Sequence, residues 1–325
     1  MRVFAAAVVL GILIAETAVA AGIWAKPGAG MIFVLAVDPS KPGRVYAGTA
    51  RGGIFQSADQ GKMWHRVTRA RRPARIQAVV VDGAGTVYAS DADGRVMSST
   101  SAGATWGILD VGAPPAQVTS LAIDPRTTPD TLYAGTATGE VRRSADGGRT
   151  WRASGEGLEG QAVLALAIDR RRHRGVVWAG TLGGIFRSAD GGARWTKLTS
   201  LAVRELVVDR TRRGTVFGAN GALFRSKDSG ATWRRLAPIR FALSLAVDST
   251  ERPGAVYVGT SYESIMKSID GGDTWAAANE GVPRLGEVVE LAVDTRTKPS
   301  TLYAATSALG VHHSTDGGIS WRPDE

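Results

Sequence analysis

Cysteine is absent from all 325 residues. Its absence excludes disulfides, thiolate metal sites and attachment through a lipidated cysteine at a signal cleavage point. Histidine is scarce: only His65, His173, His312 and His313 occur, and none stands in an H-E-x-x-H or comparable spacing. The adjacent pair His312 and His313 falls on a predicted strand, where neighbouring side chains point to opposite faces and cannot grip one ion together. No phosphate-cradling glycine loop is present, so no metal, nucleotide or other cofactor is expected. Beyond the first residues there is no apolar run long enough to span a membrane.

Negative charge is also in deficit, and the formal net charge is +9. Arg2 and Glu16 cancel, so the excess belongs to the rest of the chain and favours anionic partners. The start, Met1-Arg2 followed by an apolar run from Val3 to Ala15 and then Ala18-Val19-Ala20, reads as a secretory signal over residues 1–20. The expected location is therefore outside the cytoplasm, periplasmic or secreted, where nucleic acid is not a partner. With 44% hydrophobic and 21% charged residues the remainder can bury a core, and residues 21–325 are expected to form one monomeric domain.

What the chain does have is a repeat. Ser144 to Trp151 reads S-A-D-G-G-R-T-W, and copies begin at Ser57, Ser99, Ser188, Ser226, Ser268 and Ser314, each ending in tryptophan. Successive serines are 38 to 46 residues apart by subtraction, a period that marks a blade-type array with one small sheet per repeat. The motif has the chemistry of a hairpin turn. Its Asp can accept backbone N–H groups, its Gly can take a positive φ, and its Trp returns the chain to the core. The second copy carries Ser101 in place of the Asp and is expected to hold its turn less tightly. A calcium loop would need a ligand series and a terminal Glu, which are missing.

This pattern, S-x-D-x-G-x-T-W, resembles the Asp-box of the bacterial neuraminidase repeat (BNR) superfamily, which includes sialidases, xyloglucanases, sortilin-type receptors and photosystem II assembly factors. The matches cover the chain from about Trp24 to its end. Three further stretches recur in each period: an apolar run ending in Asp (Leu35 to Asp38), an aromatic-small-Gly stretch (Val45 to Thr49), and one like Gly183 to Ser188 running into the box. With a fourth strand starting at the Trp, the expected fold is all-β, a seven-bladed β-propeller with four-stranded blades and Asp-box hairpin turns. Ile23 to Lys26 is expected to close the outer edge of the last blade.

Alternating strand direction sorts the loops onto two faces. The link carrying Arg66, Arg69, Arg71, Arg72 and Arg75 is expected on the face away from the boxes, and the loop with Arg170, Arg171, Arg172 and Arg174 on the box face. Both are candidates for binding an anionic polymer or a protein of the envelope. A glycosidase would need two facing carboxylates, for which the free acids Asp91, Asp93 and Glu263 are candidates. Tyr262 falls outside the repeat, and a Tyr beside Glu263 is similar to the sialidase nucleophile and its base. The Arg-Ile-Pro motif of sialidases is missing, however, and the paired propellers of xyloglucanases would need a longer chain. In blade number, signal segment and arginine clustering the chain looks most like single-domain photosystem II stability and assembly factors. That resemblance implies an exported, non-catalytic binding propeller. A carbohydrate-active enzyme and a lectin-like polysaccharide binder are the alternatives.

Overall fold

A computed structural model describes residues 31–68, 74–112, 117–158, 160–169, 175–250, 254–262, 264–282, 286–307 and 309–323. Among them there is no helix; the regular structure is all β. The first sheet comprises β1 (Ile32–Val37), β2 (Val45–Thr49), β3 (Ile54–Ser57) and β4 (His65–Arg66) in that order. The second comprises β5 (Ile76–Val81), β6 (Val87–Asp91), β7 (Val96–Ser99) and β8 (Gly107–Leu109). The third comprises β9 (Val118–Asp124), β10 (Thr131–Thr136), β11 (Val141–Ser144) and β12 (Arg152–Ala153). The fourth holds β13 (Val163–Asp169), β14 (Val176–Thr181), β15 (Gly184–Ser188) and β16 (Thr196–Thr199).

A seven-stranded sheet follows: β17 (Glu205–Val208), β18 (Val216–Ala219), β19 (Gly221–Ser226), β20 (Arg234–Asp248), β21 (Ala255–Thr260), β22 (Ile265–Ser268) and β23 (Ala276–Ala277). Its long member β20 pairs with β19 through its first part and with β21 through its second. The last sheet is β24 (Val288–Asp294), β25 (Thr301–Thr306), β26 (Gly310–Ser314) and β27 (Arg322–Pro323). Every pairing is antiparallel, as short meandering connections require. The fourth position of this last sheet is taken by β27, with His313 opposite Arg322. Residues 23–26, expected at that edge, lie outside the described residues.

The strands that begin each unit pack side by side around a closed ring: β1 on β5, β5 on β9, β9 on β13, β13 on β17, β17 on β20, β20 on β24, and β24 back on β1. The hydrophobic core is accordingly divided into layers between neighbouring sheets. The closing layer joins Tyr303, Ala305 and Val311 of the last sheet to Leu35, Val45, Phe55 and Trp64 of the first. Tyrosine hydroxyls pin one sheet to the next turn: Tyr88, Tyr133 and Tyr257 donate to the carbonyls of Gly147, Gly191 and Gly317 at 3.3, 2.9 and 2.9 Å. Each such ring carries a large apolar face into the core while its polar tip finds an acceptor.

The repeated turns are built around the serine as well as the aspartate. Ser144 Oγ accepts the Gly148 N–H at 2.8 Å and donates to Asp146 at 2.7 Å, while Asp146 accepts the Thr150 N–H at 2.9 Å. Gly148 has φ of 88°, open to glycine at little cost. The hydroxyl and N–H of Thr150, then the Ser144 hydroxyl, pull the Asp146 carboxyl down to about 2. In the second copy the scaffold is the same: Ser101 Oγ accepts the Thr105 N–H at 2.9 Å. The expected loosening is therefore a loss of charge rather than of geometry, since a carboxylate makes the stronger acceptor. Ser101→Asp is expected to raise the melting temperature, measured calorimetrically; a fall would show that the turn excludes the carboxylate.

Candidate functional site

The face opposite the box turns is formed by the links into each inner strand and by the loops after β2 and its counterparts. At the entry to β5, Arg75 is partly buried, which lowers its pKa by desolvation. Its guanidinium lies over the Phe33 ring, 5.3 Å from the centroid, and donates to Gln77 Oε1 at 3.2 Å. Its carbonyl accepts the Ala92 N–H at 2.8 Å, so the main chain there is held from the neighbouring loop. Arg66 is exposed on β4. The other arginines of that link (Arg69, Arg71, Arg72) and of the box-face loop (Arg170, Arg171, Arg172, Arg174) lie outside the described residues, as does Glu263.

Further round the same face, β20 carries one extra residue. Arg240 stands opposite Ala222 and Ala242 opposite Gly221, so Phe241 has no partner and bulges out. Its φ is 54°, a conformation uncommon for a bulky aromatic, and its side chain is 51% exposed. The Phe241 carbonyl accepts the Ser261 N–H, which brings the loop after β21 alongside. Tyr262, 73% exposed, meets Phe241 edge to face, with ring centroids 4.9 Å apart and planes at 76°. Two aromatic rings thus stand in solvent on a constrained backbone, with exposed Arg204 and Arg240 on the neighbouring links. Constrained, solvent-facing aromatics beside guanidinium groups suit recognition of a partner better than packing.

The candidate acids fall elsewhere. Asp91 is 3% exposed and ends β6, where its Oδ1 accepts the N–H groups of Asp93 and Arg95 at 3.0 and 2.9 Å. It does for this turn what the Thr49 and Thr136 hydroxyls do for theirs. Asp93 pairs with Arg95 at 3.7 Å. Both lie in the second sheet's loop, whereas Tyr262 follows β21.

Two carboxyls that sequence reasoning missed sit on the innermost strands. Glu205 opens β17 opposite Ala219, and Glu290 lies on β24 opposite Ala305. Both occupy the register place that Val34, Ala78, Ser120, Ala165 and Ser244 fill in the other units. Burial pushes the Glu205 carboxyl up to about 8. Glu290 is raised well above the usual range by burial and by the charge of Glu205, so the two sense each other. The available signal was an acid interrupting the same apolar run in two repeats, Glu205-Leu-Val-Val-Asp209 and Glu290-Leu-Ala-Val-Asp294. Among the described residues no group of three or more His, Asp or Glu side chains is placed to hold a metal ion.

No family model matches the chain, and no curated protein matches it in sequence. Its architecture is that of the β-propellers. The GH74 xyloglucanase from Xanthomonas campestris superposes with a TM-score of 0.70 at 19% identity over 91% of this chain. The chain spans only 55% of that enzyme's length. YCF48 bound to a D1 peptide gives a TM-score of 0.68 at 17% identity, covering 88% of this chain and 93% of YCF48. The extracellular domain of BT4673 from B. thetaiotaomicron gives 0.69 at 15%, with 89% of this chain and 38% of that one covered. These likenesses are consistent with a BNR-type propeller, and at such identities they speak for the fold. The neighbours include glycoside hydrolases and proteins of other kinds, and no described helix is long and apolar enough to cross a membrane.

Proposed function

We propose that the chain is an exported, non-catalytic binding propeller of seven blades, two of which share β20, with Asp-box turns on one face and a protein or anionic partner held on the other. The observation that carries this reading is the Phe241–Tyr262 pair, held outward by a bulged backbone among arginines. Support comes from the acids, since Asp91 and the box aspartates are spent on turns. Length agrees: one propeller matches nearly all of YCF48, whose printed complex holds a peptide, and about half of the xyloglucanase. Arg66, Arg69, Arg71, Arg72 and Arg75 would extend the binding face by their charge.

Capture of an envelope partner from native extract tests this directly. Arg240→Glu with Tyr262→Ala is expected to abolish capture that the parent shows, and undiminished capture would overturn the reading. Phe241→Gly separates binding from stability. Glycine relieves a left-handed strain of about 1–2 kcal/mol, while loss of the ring pair costs about 0.5–1.5 kcal/mol. Its melting temperature should stay level while capture falls; a large fall in melting temperature would mean that the rings are structural.

One observation favours a second reading, a carbohydrate-active enzyme: the coupled carboxyls Glu205 and Glu290, since groups with displaced pKa values are the raw material of acid–base catalysis. Release of reducing ends from oligosaccharides by the parent, lost in Glu205→Gln, would establish it.

A further inference from the structure

On the turn-bearing face, between the fourth sheet and the first strands of the seven-stranded one, lies a cavity of about 350 Å³ walled by Trp178, Arg187, Arg213, Ser229 and Asp169. Trp178 breaks the repeat. The same strand position holds Tyr46, Tyr88, Tyr133, Tyr257 and Tyr303, and three of those hydroxyls donate to a carbonyl in the next turn. Ser229 is the residue whose carbonyl would receive that bond here, by its place in the box beside Gly230. The indole is 2% exposed, yet its N–H meets no acceptor. A buried donor left unpaired costs about 1–3 kcal/mol, and a natural chain retains one where something completes it.

The other groups around the cavity are cationic donors. Arg187 sits directly opposite Trp178 on β15, with its guanidinium 5.7 Å from the indole centroid, and Arg213 is exposed at the rim. Asp169 opposes them, but it already has a partner of its own. An indole N–H and two guanidinium groups form a donor set with few acceptors, which fits an oxyanion with several acceptor oxygens. We infer that this cavity is a binding site for a tetrahedral oxyanion, phosphate or sulfate, held by Trp178, Arg187 and Arg213. The site is on the face opposite the proposed partner surface and stands independently of it.

The test is a titration of the intact, ¹⁵N-labelled protein with inorganic phosphate and, separately, sulfate, against chloride at matched ionic strength. The Trp178 indole N–H resonance, assigned by its loss in Trp178→Tyr, is expected to move saturably with one or both oxyanions and not with chloride. The tighter of the two identifies the source. Arg213→Gln should weaken binding by about tenfold or more, the worth of one charge-assisted bond. Trp178→Tyr restores the residue found in five other units, so it should fold and lose the rise in melting temperature that the oxyanion gives the parent. An unmoved indole resonance, equal movement in chloride, or unchanged affinity in Arg213→Gln would each overturn the assignment.

Discussion

The double variant Glu205→Gln, Glu290→Gln is expected to melt well above the parent at pH 8 and level with it at pH 4. Both carboxyls are raised in the folded protein, chiefly because burial disfavours their ionised forms. A carboxyl with a raised pKa favours folding fully below its unfolded value, and that advantage is lost as pH rises through the folded value. For Glu205 the window runs from the ordinary carboxylate range up to about 8. In the parent, stability should therefore decline across the window, with a deficit on the order of 2–4 kcal/mol by its top, allowing for partial solvent access. Glutamine removes the titration and keeps the shape. Parallel melting curves of parent and variant at all pH values would show that the two groups ionise freely.

The second large effect is steric. Gly157→Ala and Gly281→Ala are each expected to cost about 3–5 kcal/mol, read by chemical denaturation, from a forced left-handed backbone combined with overlap in a packed region. Gly157 has φ of 93° and Gly281 has φ of 84°. A methyl group on either would run into the backbone carbonyl oxygen of Trp195 or Trp321. The closeness arises because the preceding carbonyls, of Glu156 and Glu280, accept the N–H groups of those same tryptophans at 2.8 and 2.7 Å. These bonds fasten the link leaving one sheet to the turn of the next. Gly160→Ala is the control: its φ is also positive, at 69°, but nothing lies within reach of the added methyl, so only a small loss is expected. Equal effects at Gly160 and Gly281 would show that the fastening contributes nothing.

Most of the architecture was legible because it is written in repeats. Apolar runs ending in Asp became the inner strands, and the box serine and tryptophan mark where each hairpin turns back. The functional surface was less legible because it lies where the repeat is broken. Tyr262 stood out as a tyrosine out of place, but its companion Phe241 did not, since a one-residue bulge is set by the register of two neighbouring strands rather than by composition. Asp91 read as a free acid because its role, capping a turn that other units cap with threonine, depends on its exact place at a strand end. Glu205 and Glu290 were overlooked for the opposite reason: they sit within apolar runs, and only ring closure brings their charges within range of each other.

The account's central claim is that the partner is held on the face bearing Phe241 and Tyr262. Hydrogen–deuterium exchange on the captured complex tests it most directly. Protection is expected in the peptides covering residues 239–242 and 260–262 and at the entry to β5, while the box turns exchange as in the free protein. Protection confined to the box turns, with those peptides unchanged, would contradict it.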